Sequence, residues 1–256
     1  MNLDLIRKDF PILETQVNGH QIVYFDNGAT TQRPLPVVNA VVDYVTHQNG
    51  NPHRGAHIFA ISASEAYDTS KEVVRDFIHA RSEKEIIYTR NTTESLNLVS
   101  RSYGETHLKK GDHILITIAE HHSNLVTWQR AAEKTGAVLD YIYIDKETGH
   151  FPEEELKKID DPRVKILAFA QVSNVLGVEF DPKPLIKRAH AHGAVVVLDG
   201  AQSTPHKQID VQDLDCDFFA FSGHKMCSMG GIGVLYAKEE LLDEMEPFLM
   251  GGDMIE

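Results

Sequence analysis

Lys225 and Asp199 are the two residues whose type and position best suit covalent chemistry on a carbonyl compound. Lys225 follows the aromatic run Phe218–Phe221, which is typical of a short buried strand that opens into Ser222-Gly-His. A lysine at the mouth of a buried strand is partly desolvated, which lowers the pKa of its amine and favours nucleophilic attack. Amines of this kind form Schiff bases with carbonyl groups. A solvated loop lysine is the ordinary alternative, so the prediction depends on the neighbouring strands.

Asp199 ends the run Ala194–Leu198, which is a second candidate buried strand. A carboxylate there is costly unless it is paired with a cation or well hydrogen-bonded. The protonated ring nitrogen of a pyridoxal cofactor would supply that cation; a metal ion or a helix cap are the alternatives. Lys225 follows Asp199 by 225 − 199 = 26 residues. That spacing leaves room for one crossover and one strand, so we predict both residues at one edge of the sheet on neighbouring strands.

Three further strand ends carry polar residues that would complete a cofactor site. Thr92 or Thr93 caps the helix predicted after the strand Glu85–Thr89, and a helix start suits a phosphate group. His121 follows the strand His113–Ile118, where it could stack on a ring or move protons. Asn174 follows the strand Lys165–Ala170 as a candidate amide donor. Capping and turn formation are the competing interpretations of all three signals.

The elements that must position these residues alternate along the chain. Apolar runs without polar alternation favour a mostly parallel sheet covered on both faces, a three-layer α/β/α fold of about seven strands. The Gly-rich link before the last strand predicts that this strand returns antiparallel. The remaining predicted strands are Ile22–Phe25, Val138–Tyr143 and Ile232–Tyr236, and the predicted helices are Asp4–Phe10, Leu35–Gln48, Ser62–Ala80, Glu94–Tyr103, Asn124–Thr135, Pro152–Lys158 and Pro184–His192.

Composition narrows the class of protein. The chain has 256 residues, 42% of them hydrophobic, and a net charge of −13, which argues against a nucleic-acid surface. Its two cysteines and 14 histidines form no disulfide framework and no metal-ligand spacing, so no metal site is predicted. No apolar run approaches the roughly 18 residues of a membrane span, and the first residues lack the apolar core of a signal peptide. We therefore expect a soluble cytoplasmic protein that does not bind membranes.

At these motifs the sequence resembles the class V aminotransferase family, and most closely the Suf-type cysteine desulfurases. The resemblance covers nearly the whole chain. It implies the large domain of fold-type-I pyridoxal phosphate enzymes over residues 1–256, with an N-terminal helical arm over about residues 1–60. The matching segments, in chain order, are residues 26–34 (DNGATTQRP), 53–55 (HRG), 91–94 (NTTE), 120–124 (EHHSN), 172–177 (VSNVLG), 198–202 (LDGAQ) and 216–225 (CDFFAFSGHK).

The resemblance implies a role for each matching residue around the cofactor ring. Lys225 would bind pyridoxal 5'-phosphate as a Schiff base and later move protons. His121 would stack on the ring and assist acid–base steps. Asp199 would pair with the ring nitrogen, and Gln202 would hydrogen-bond the ring oxygen. Asn174 would lie near that oxygen and the substrate carboxylate.

The phosphate group and the substrate would be held by other matching residues. Thr93, Ser222 and His224 would hold the phosphate, with Thr92 adjacent. Ala29 and Arg54 would lie near the substrate pocket. The reaction implied is removal of sulfur from L-cysteine, giving L-alanine and persulfide sulfur for iron–sulfur cluster assembly. A homodimer and a sulfur-acceptor protein of Suf type are the partners implied.

Two departures from the family pattern leave alternatives open. The family's nucleophilic cysteine and carboxylate-binding arginine lie in a C-terminal region that we expect to be absent from this chain, and the family's small domain is expected to be absent too. Neither Cys216 nor Cys227 fits the nucleophile. Residues 226–231 also replace the usual Gly-Pro turn after the lysine, which removes a backbone restraint. The alternatives are a selenocysteine lyase, an epimerase, a catalytically incomplete fragment that binds pyridoxal phosphate, and a nucleotide-binding domain. The last is disfavoured because Gly230–Gly233 lead into a strand.

Overall fold

A seven-stranded sheet organises the chain, of which the computed structural model describes residues 2–252 and 254. A separate antiparallel hairpin of two-residue strands, β1 (Gln16–Val17) and β2 (His20–Gln21), precedes it. The strands of the sheet are β3 (Ile86–Thr89), β4 (His113–Thr117), β5 (Val138–Ile142), β6 (Val164–Ala170), β7 (Val195–Asp199), β8 (Phe218–Ser222) and β9 (Gly233–Ala237).

The strand order is β3-β9-β8-β7-β6-β4-β5. Strands β5, β4, β6, β7 and β8 are parallel to one another, whereas β9 runs antiparallel to both β8 and β3. The predicted mostly parallel sheet and its antiparallel last strand are therefore confirmed. Chain order reverses between β4 and β6, and such a reversal opens a crevice at the carboxyl ends of the strands.

Helices cover both faces of the sheet because successive strand residues point to opposite sides. Phe219 belongs to a core cluster with Ile78 of one helix and Leu185 of another, whereas Phe218 packs with Trp128 in the cluster on the opposite face. Of these five side chains, four are fully buried and Leu185 is nearly so. This gives the predicted three-layer α/β/α arrangement.

The helices have the following bounds: α1 (Leu3–Lys8), α2 (Leu35–Asp43), α3 (Ile58–Ile78), α4 (Thr92–Val99), α5 (Glu105–His107), α6 (His122–Thr135), α7 (Glu153–Leu156), α8 (Pro182–Ala191), α9 (Val211–Leu214) and α10 (Glu239–Asp243). Short 3₁₀ turns lie at Pro11–Glu14, Glu83–Glu85, Lys157–Asp160 and Gly223–Lys225, and π-helical turns lie at Tyr44–Gln48 and Ser100–Gly104.

One predicted strand is wrong. The run Ile22–Phe25 is an extended segment without strand pairing, and it leaves Val23 71% and Phe25 94% exposed. Only the Ile22 N–H, which donates to the Thr15 carbonyl at 2.9 Å, continues the hairpin. Local strand propensity is therefore insufficient where no neighbouring edge is available.

None of the helices in the described part combines the length and the hydropathy that a membrane span requires. Over the same residues, no group of three or more His, Cys, Asp or Glu side chains is placed to hold a metal ion.

Candidate active site

A cavity of about 670 Å³ opens at the carboxyl ends of the parallel strands. We call it the lysine cavity. Its wall is completed by the extended N-terminal segment at Phe25, Asp26, Gly28 and Ala29. All nine residues predicted from the sequence line it: Thr92, Thr93, His121, Asn174, Asp199, Gln202, Ser222, His224 and Lys225.

Lys225 lies in the 3₁₀ turn that follows β8 and is half-buried. Burial lowers the pKa of its amine, and the Asp199 carboxylate partly offsets this effect. Strands β7 and β8 are parallel neighbours with Asp199 paired to Ala220, so the predicted placement of Asp199 and Lys225 is observed. Near neutral pH a larger fraction of this amine is unprotonated than for a solvated lysine.

Asp199 is a buried carboxylate without a cationic partner at ion-pair distance in the described part of the chain. It is 4% exposed, and its Oδ1 accepts one hydrogen bond, from the Ala201 N–H at 2.9 Å. Burial raises its pKa. At Gly200 an added Cβ would lie 2.0 Å from Cζ of Phe219, so only glycine lets the chain turn here against the core. A cationic ring nitrogen in the cavity would satisfy this carboxylate.

Hydroxyl groups cluster where α4 begins. The Ser222 Oγ accepts from the Thr92 N–H at 2.8 Å and is hydrogen-bonded to the Thr92 hydroxyl at 2.6 Å. The Thr93 hydroxyl is 2.7 Å from that of Ser123. A helix start with converging hydroxyls fits a phosphate group. The predicted cap was wrong, however: Asn91 caps α4 by accepting from the Glu94 N–H at 2.9 Å, because the threonines lie inside the first turn.

His121 is the N-cap of α6, which begins two residues earlier than predicted. Its Nδ1 accepts from the Ser123 N–H at 3.1 Å, which assigns the proton of the neutral ring to Nε2. Burial lowers the pKa of His121, and the charge of Lys225 lowers it further. The ring is therefore mainly neutral near pH 7.

The other predicted residues hold different positions around the rim. The Gln202 amide donates to the Gly28 carbonyl at 2.8 Å. The His224 ring nitrogen Nδ1 is 3.2 Å from the Thr30 hydroxyl, and burial lowers the pKa of His224. Asn174 is exposed, and its side chain makes no hydrogen bond to any described residue. Its amide therefore has free donors beside the cavity.

Glu120 was missed by the sequence analysis as a site residue. Its carboxylate bridges the crevice between β4 and β6, accepting from the Ala170 N–H at 3.1 Å, the Asn124 amide at 2.6 Å and the Thr117 hydroxyl. Burial raises the pKa of Glu120 to about 8, and the charge of Asp199 adds to this effect. Its signals in the sequence were its position directly before His121 and its place in the matching segment 120–124.

The substrate-side predictions have a mixed outcome. Ala29 lines the lysine cavity, but Arg54 is not among the lining residues. The Arg54 guanidinium lies beside Gly252, where an added Cβ would be 2.7 Å from Nη2. Cys216 is buried, which raises the pKa of its thiol, and Cys227 is half-buried. Neither cysteine lines the cavity.

A second cavity, of about 740 Å³, lies between α3 and the sheet. Its wall is mainly apolar, with Val73, Val74, Phe77 and Phe221, and none of the nine predicted site residues lines it. The lysine cavity is the better candidate for chemistry because it gathers titratable side chains with shifted pKa values.

Comparison with known proteins agrees with this geometry. Residues 23–256 match the profile of the family described as aminotransferase class-V. The chain belongs to the class-V aminotransferase family. This family depends on pyridoxal phosphate, as the sequence predicted.

Relatives of this class-V chain are named as cysteine desulfurases. It is 49% identical over 256 residues to a probable cysteine desulfurase of Halalkalibacterium halodurans, covering 100% of this chain and 63% of that protein. The apo cysteine desulfurase of Thermococcus onnurineus superposes with a TM-score of 0.90 at 42% identity, covering 99% and 61%. The Escherichia coli cysteine desulfurase CsdA gives a TM-score of 0.88 at 40% identity, covering 100% and 63%. The chain thus spans about three fifths of the length of these relatives.

Proposed function

We propose that the lysine cavity binds pyridoxal phosphate and serves a cysteine desulfurase, which removes sulfur from L-cysteine to give L-alanine and persulfide sulfur. The observation that carries the proposal is the placement of Asp199 and Lys225 at the carboxyl ends of the neighbouring parallel strands β7 and β8, in one cavity. The names of the relatives support the choice of substrate.

The residues present fit the cofactor at four points. The buried Asp199 carboxylate would pair with the ring nitrogen, and the donors of Gln202 and Asn174 would reach the ring oxygen. His121 would lie against the ring. Lys225 would form the covalent link to the aldehyde carbon.

The hydroxyl cluster would hold the phosphate. Thr93, Ser222 and His224 would contact it directly, with Thr92 adjacent. The positive end of the α4 dipole favours negative charge at this position.

When bound, pyridoxal phosphate supplies an electron sink next to the substrate amine. The chain's own residues supply the proton transfers. The lowered pKa of Lys225 leaves its amine able to accept a proton near neutral pH, and the neutral ring of His121 can donate a hydrogen bond from its Nε2–H group. Asn174 would orient the substrate carboxylate through its free amide donors.

A second candidate keeps the cofactor and lacks sulfur transfer. It is supported by the position of Cys216 and Cys227, neither of which lines the cavity. Selenocysteine lyase and epimerase chemistry would use the same Lys225 and Asp199. For the desulfurase, the proposal includes a homodimer, an acceptor protein of Suf type, a cytoplasmic location and a role in iron–sulfur cluster assembly.

Lys225→Ala is the variant that tests cofactor binding. Purified protein mixed with pyridoxal phosphate should show a visible absorption band from the covalent link, and Lys225→Ala should abolish it. Lys187→Ala, which removes an exposed lysine of α8, is the matched control and should keep the band. An unchanged spectrum in Lys225→Ala would refute the assignment.

Product analysis then distinguishes the reactions. In assays that contain a thiol reductant, which converts the released sulfur to sulfide, L-alanine and sulfide formed from L-cysteine by the wild-type chain, and not by Lys225→Ala, would support the desulfurase. A visible band without alanine release would favour the second candidate. Selenide release from L-selenocysteine alone would favour the lyase.

A further inference from the structure

Residues 26–33, which we call the N-terminal strap, contact the segment that carries Lys225. That segment, residues 222–228, is called the lysine loop. The strap lies more than 190 positions away in sequence, yet its hydrogen bonds reach the backbone of the loop on both sides of Lys225. Neither Thr31 nor Arg33 of the strap lines the lysine cavity, and no prediction from the sequence included these contacts.

Thr31 makes the central contact. Its hydroxyl donates to the His224 carbonyl at 3.0 Å and accepts from the Cys227 N–H at 2.8 Å. The His224 carbonyl belongs to the peptide unit that enters Lys225, and Cys227 is two residues beyond it. One hydroxyl therefore fixes the backbone before and after the lysine.

Other strap residues support the same grip. The Thr31 N–H and the Thr30 hydroxyl also donate to the His224 carbonyl, at 3.0 and 3.1 Å. The Arg33 Nε donates to the Ser228 carbonyl at 3.0 Å, and its Nη1 donates to the Thr30 hydroxyl at 3.3 Å. Arg33 thus ties the end of the lysine loop to the strap.

The lysine loop has a specific need for this support. Cys227 adopts a left-handed backbone with φ of 65°, a conformation that is unfavourable for residues other than glycine. Within the loop the Met226 and Ser228 N–H groups both bond to the Gly223 carbonyl, and residues 226–231 contain no proline that would fix a dihedral angle. External hydrogen bonds must hold the Lys225 backbone in place.

We propose that Thr31 and Arg33 are positioning residues for Lys225, which hold its amine in the cavity by fixing the lysine loop. The proposal deepens the proposed function, but its physical content is a property of the protein without cofactor. Loss of the Thr31 hydroxyl loosens the loop and brings the amine into contact with water. Asp199, His121 and His224 are the titratable groups that interact electrostatically with this amine.

The experiment measures the reactivity of Lys225 in the full chain without cofactor. A small neutral acylating reagent is applied across a range of pH, and mass spectrometry quantifies the label on Lys225. Thr31→Val should shift the labelling midpoint to higher pH, because a more hydrated amine holds its proton more tightly. Thr31→Ser, which keeps the hydroxyl, should restore the wild-type profile.

Thr135→Val is the matched control. The Thr135 hydroxyl also joins a carbonyl to an N–H group, those of Ala131 and Ala137, but it lies at the far end of α6 from His121. This variant loses the same kind of hydrogen bonds and should leave the Lys225 profile unchanged. Identical profiles for Thr31→Val and the wild type would overturn the proposal.

Two further measurements keep the result interpretable. Thr31→Val should weaken pyridoxal phosphate binding about tenfold, the factor that corresponds to one net hydrogen bond. If Thr31→Val does not fold, Arg33→Gln provides the same test through the Ser228 carbonyl, and a wild-type profile in Arg33→Gln would then overturn the proposal. A wild-type chain that binds no cofactor, yet whose Lys225 reactivity depends on Thr31, would refute the proposed function and leave this inference standing.

Discussion

The buried carboxyl group of Glu120 makes the stability of the fold depend on pH. Glutamate in the unfolded chain ionises near its ordinary pKa of 4.5, whereas burial in the fold raises the pKa of Glu120 to about 8. Between these values the folded protein keeps a proton that the unfolded chain has released. The free energy of unfolding therefore falls as pH rises through this window and levels off above about pH 8.

Glu120→Gln should remove this pH dependence. We expect the free energy of unfolding of the variant, relative to the wild type, to rise by about 1–3 kcal/mol between pH 5 and pH 8. The lost acceptor for the Asn124 amide lowers the stability of the variant at every pH, so it changes the offset and not the slope. Urea unfolding at pH 5, 6, 7 and 8 measures the difference.

Glu133→Gln is the control for this prediction, because Glu133 is an exposed glutamate of α6. Its stability should follow the wild-type profile at all four pH values. Parallel profiles for Glu120→Gln and the wild type would mean that Glu120 titrates like a solvated glutamate in the folded protein.

Sequence reasoning reached the residues whose chemistry stands out and missed those that act through packing. Lys225 and Asp199 were identifiable because a charged residue at the end of an apolar strand is unusual. Glu120 carries the same charge, but its significance depends on the Ala170 N–H, 50 positions away in the chain. The contact of Thr31 with His224 was likewise hidden, because the two residues lie 193 positions apart in the chain.

At the scale of elements, the start of α4 depends on how closely β9 approaches it. An added Cβ at Gly233, the first residue of β9, would lie 2.5 Å from Cα of Asn91 and 2.7 Å from its backbone N and C atoms. Asn91 is the cap of α4, so backbone displacement here would disturb the hydroxyl cluster. A side chain cannot be accommodated because the clash is with backbone atoms.

Gly233→Ala should therefore affect stability and cofactor binding together. We expect a loss of about 2 kcal/mol in the free energy of unfolding, typical of overpacking, and weaker binding of pyridoxal phosphate. Chemical denaturation and titration of the visible absorption band measure the two effects. Gly230→Ala is the control: an added Cβ meets no atom within 4 Å there, so both properties should stay near wild type. Equal behaviour of the two variants would contradict the close-approach argument.

Elements with strong apolar patterns were predictable, and those defined by distant partners were not. All seven strands of the sheet were found within one or two residues because their apolar runs record burial on both faces. The run Ile22–Phe25 has the same composition but no edge to pair with. The cap at Asn91 was misplaced because three consecutive polar residues, Asn91, Thr92 and Thr93, satisfy the same local rule.

Across the whole molecule, buried carboxylates have opposite pKa shifts at the two ends of the parallel strands. At the carboxyl ends, where the lysine cavity lies, burial raises the pKa values of Glu120 and Asp199, so their ionised forms lower the free energy of unfolding. At the amino ends of the strands, directly before β8, Asp217 is 6% exposed and accepts hydrogen bonds from three groups. Its oxygens accept from the Val196 N–H at 2.7 Å, His190 Nε2 at 2.8 Å and Lys238 Nζ at 2.8 Å. A buried carboxylate thus stabilises the fold where cationic donors surround it and costs stability where they are missing.

Asp217→Asn should lower the free energy of unfolding strongly and leave cofactor binding nearly unchanged. Breaking a buried ion pair leaves its partners uncompensated, so we expect a loss of about 3–5 kcal/mol in the free energy of unfolding. The visible absorption band of the bound cofactor should keep its position in the folded fraction, because Asp217 and its partners lie at the strand ends opposite the lysine cavity. Asp215→Asn is the control: its side chain is 63% exposed, it also pairs with Lys238, and asparagine tolerates its φ of 58°, so a loss of about 0–1 kcal/mol is expected.

The pH dependence of this loss identifies its source. Although burial acts to raise it, hydrogen bonds from His190 and Lys238 leave the pKa of Asp217 below its ordinary value, so its stabilisation is present above about pH 4 and fades as pH falls further. The hydrogen bond to Asp217 raises the pKa of His190, so its contribution is complete below about pH 6.5 and is lost as pH rises through the raised pKa. The free energy of unfolding of the wild type should therefore exceed that of Asp217→Asn by the largest amount between about pH 4 and 6.5. Urea unfolding across that range is the measurement, and a difference independent of pH would show that Asp217 stabilises the fold through packing instead of charge.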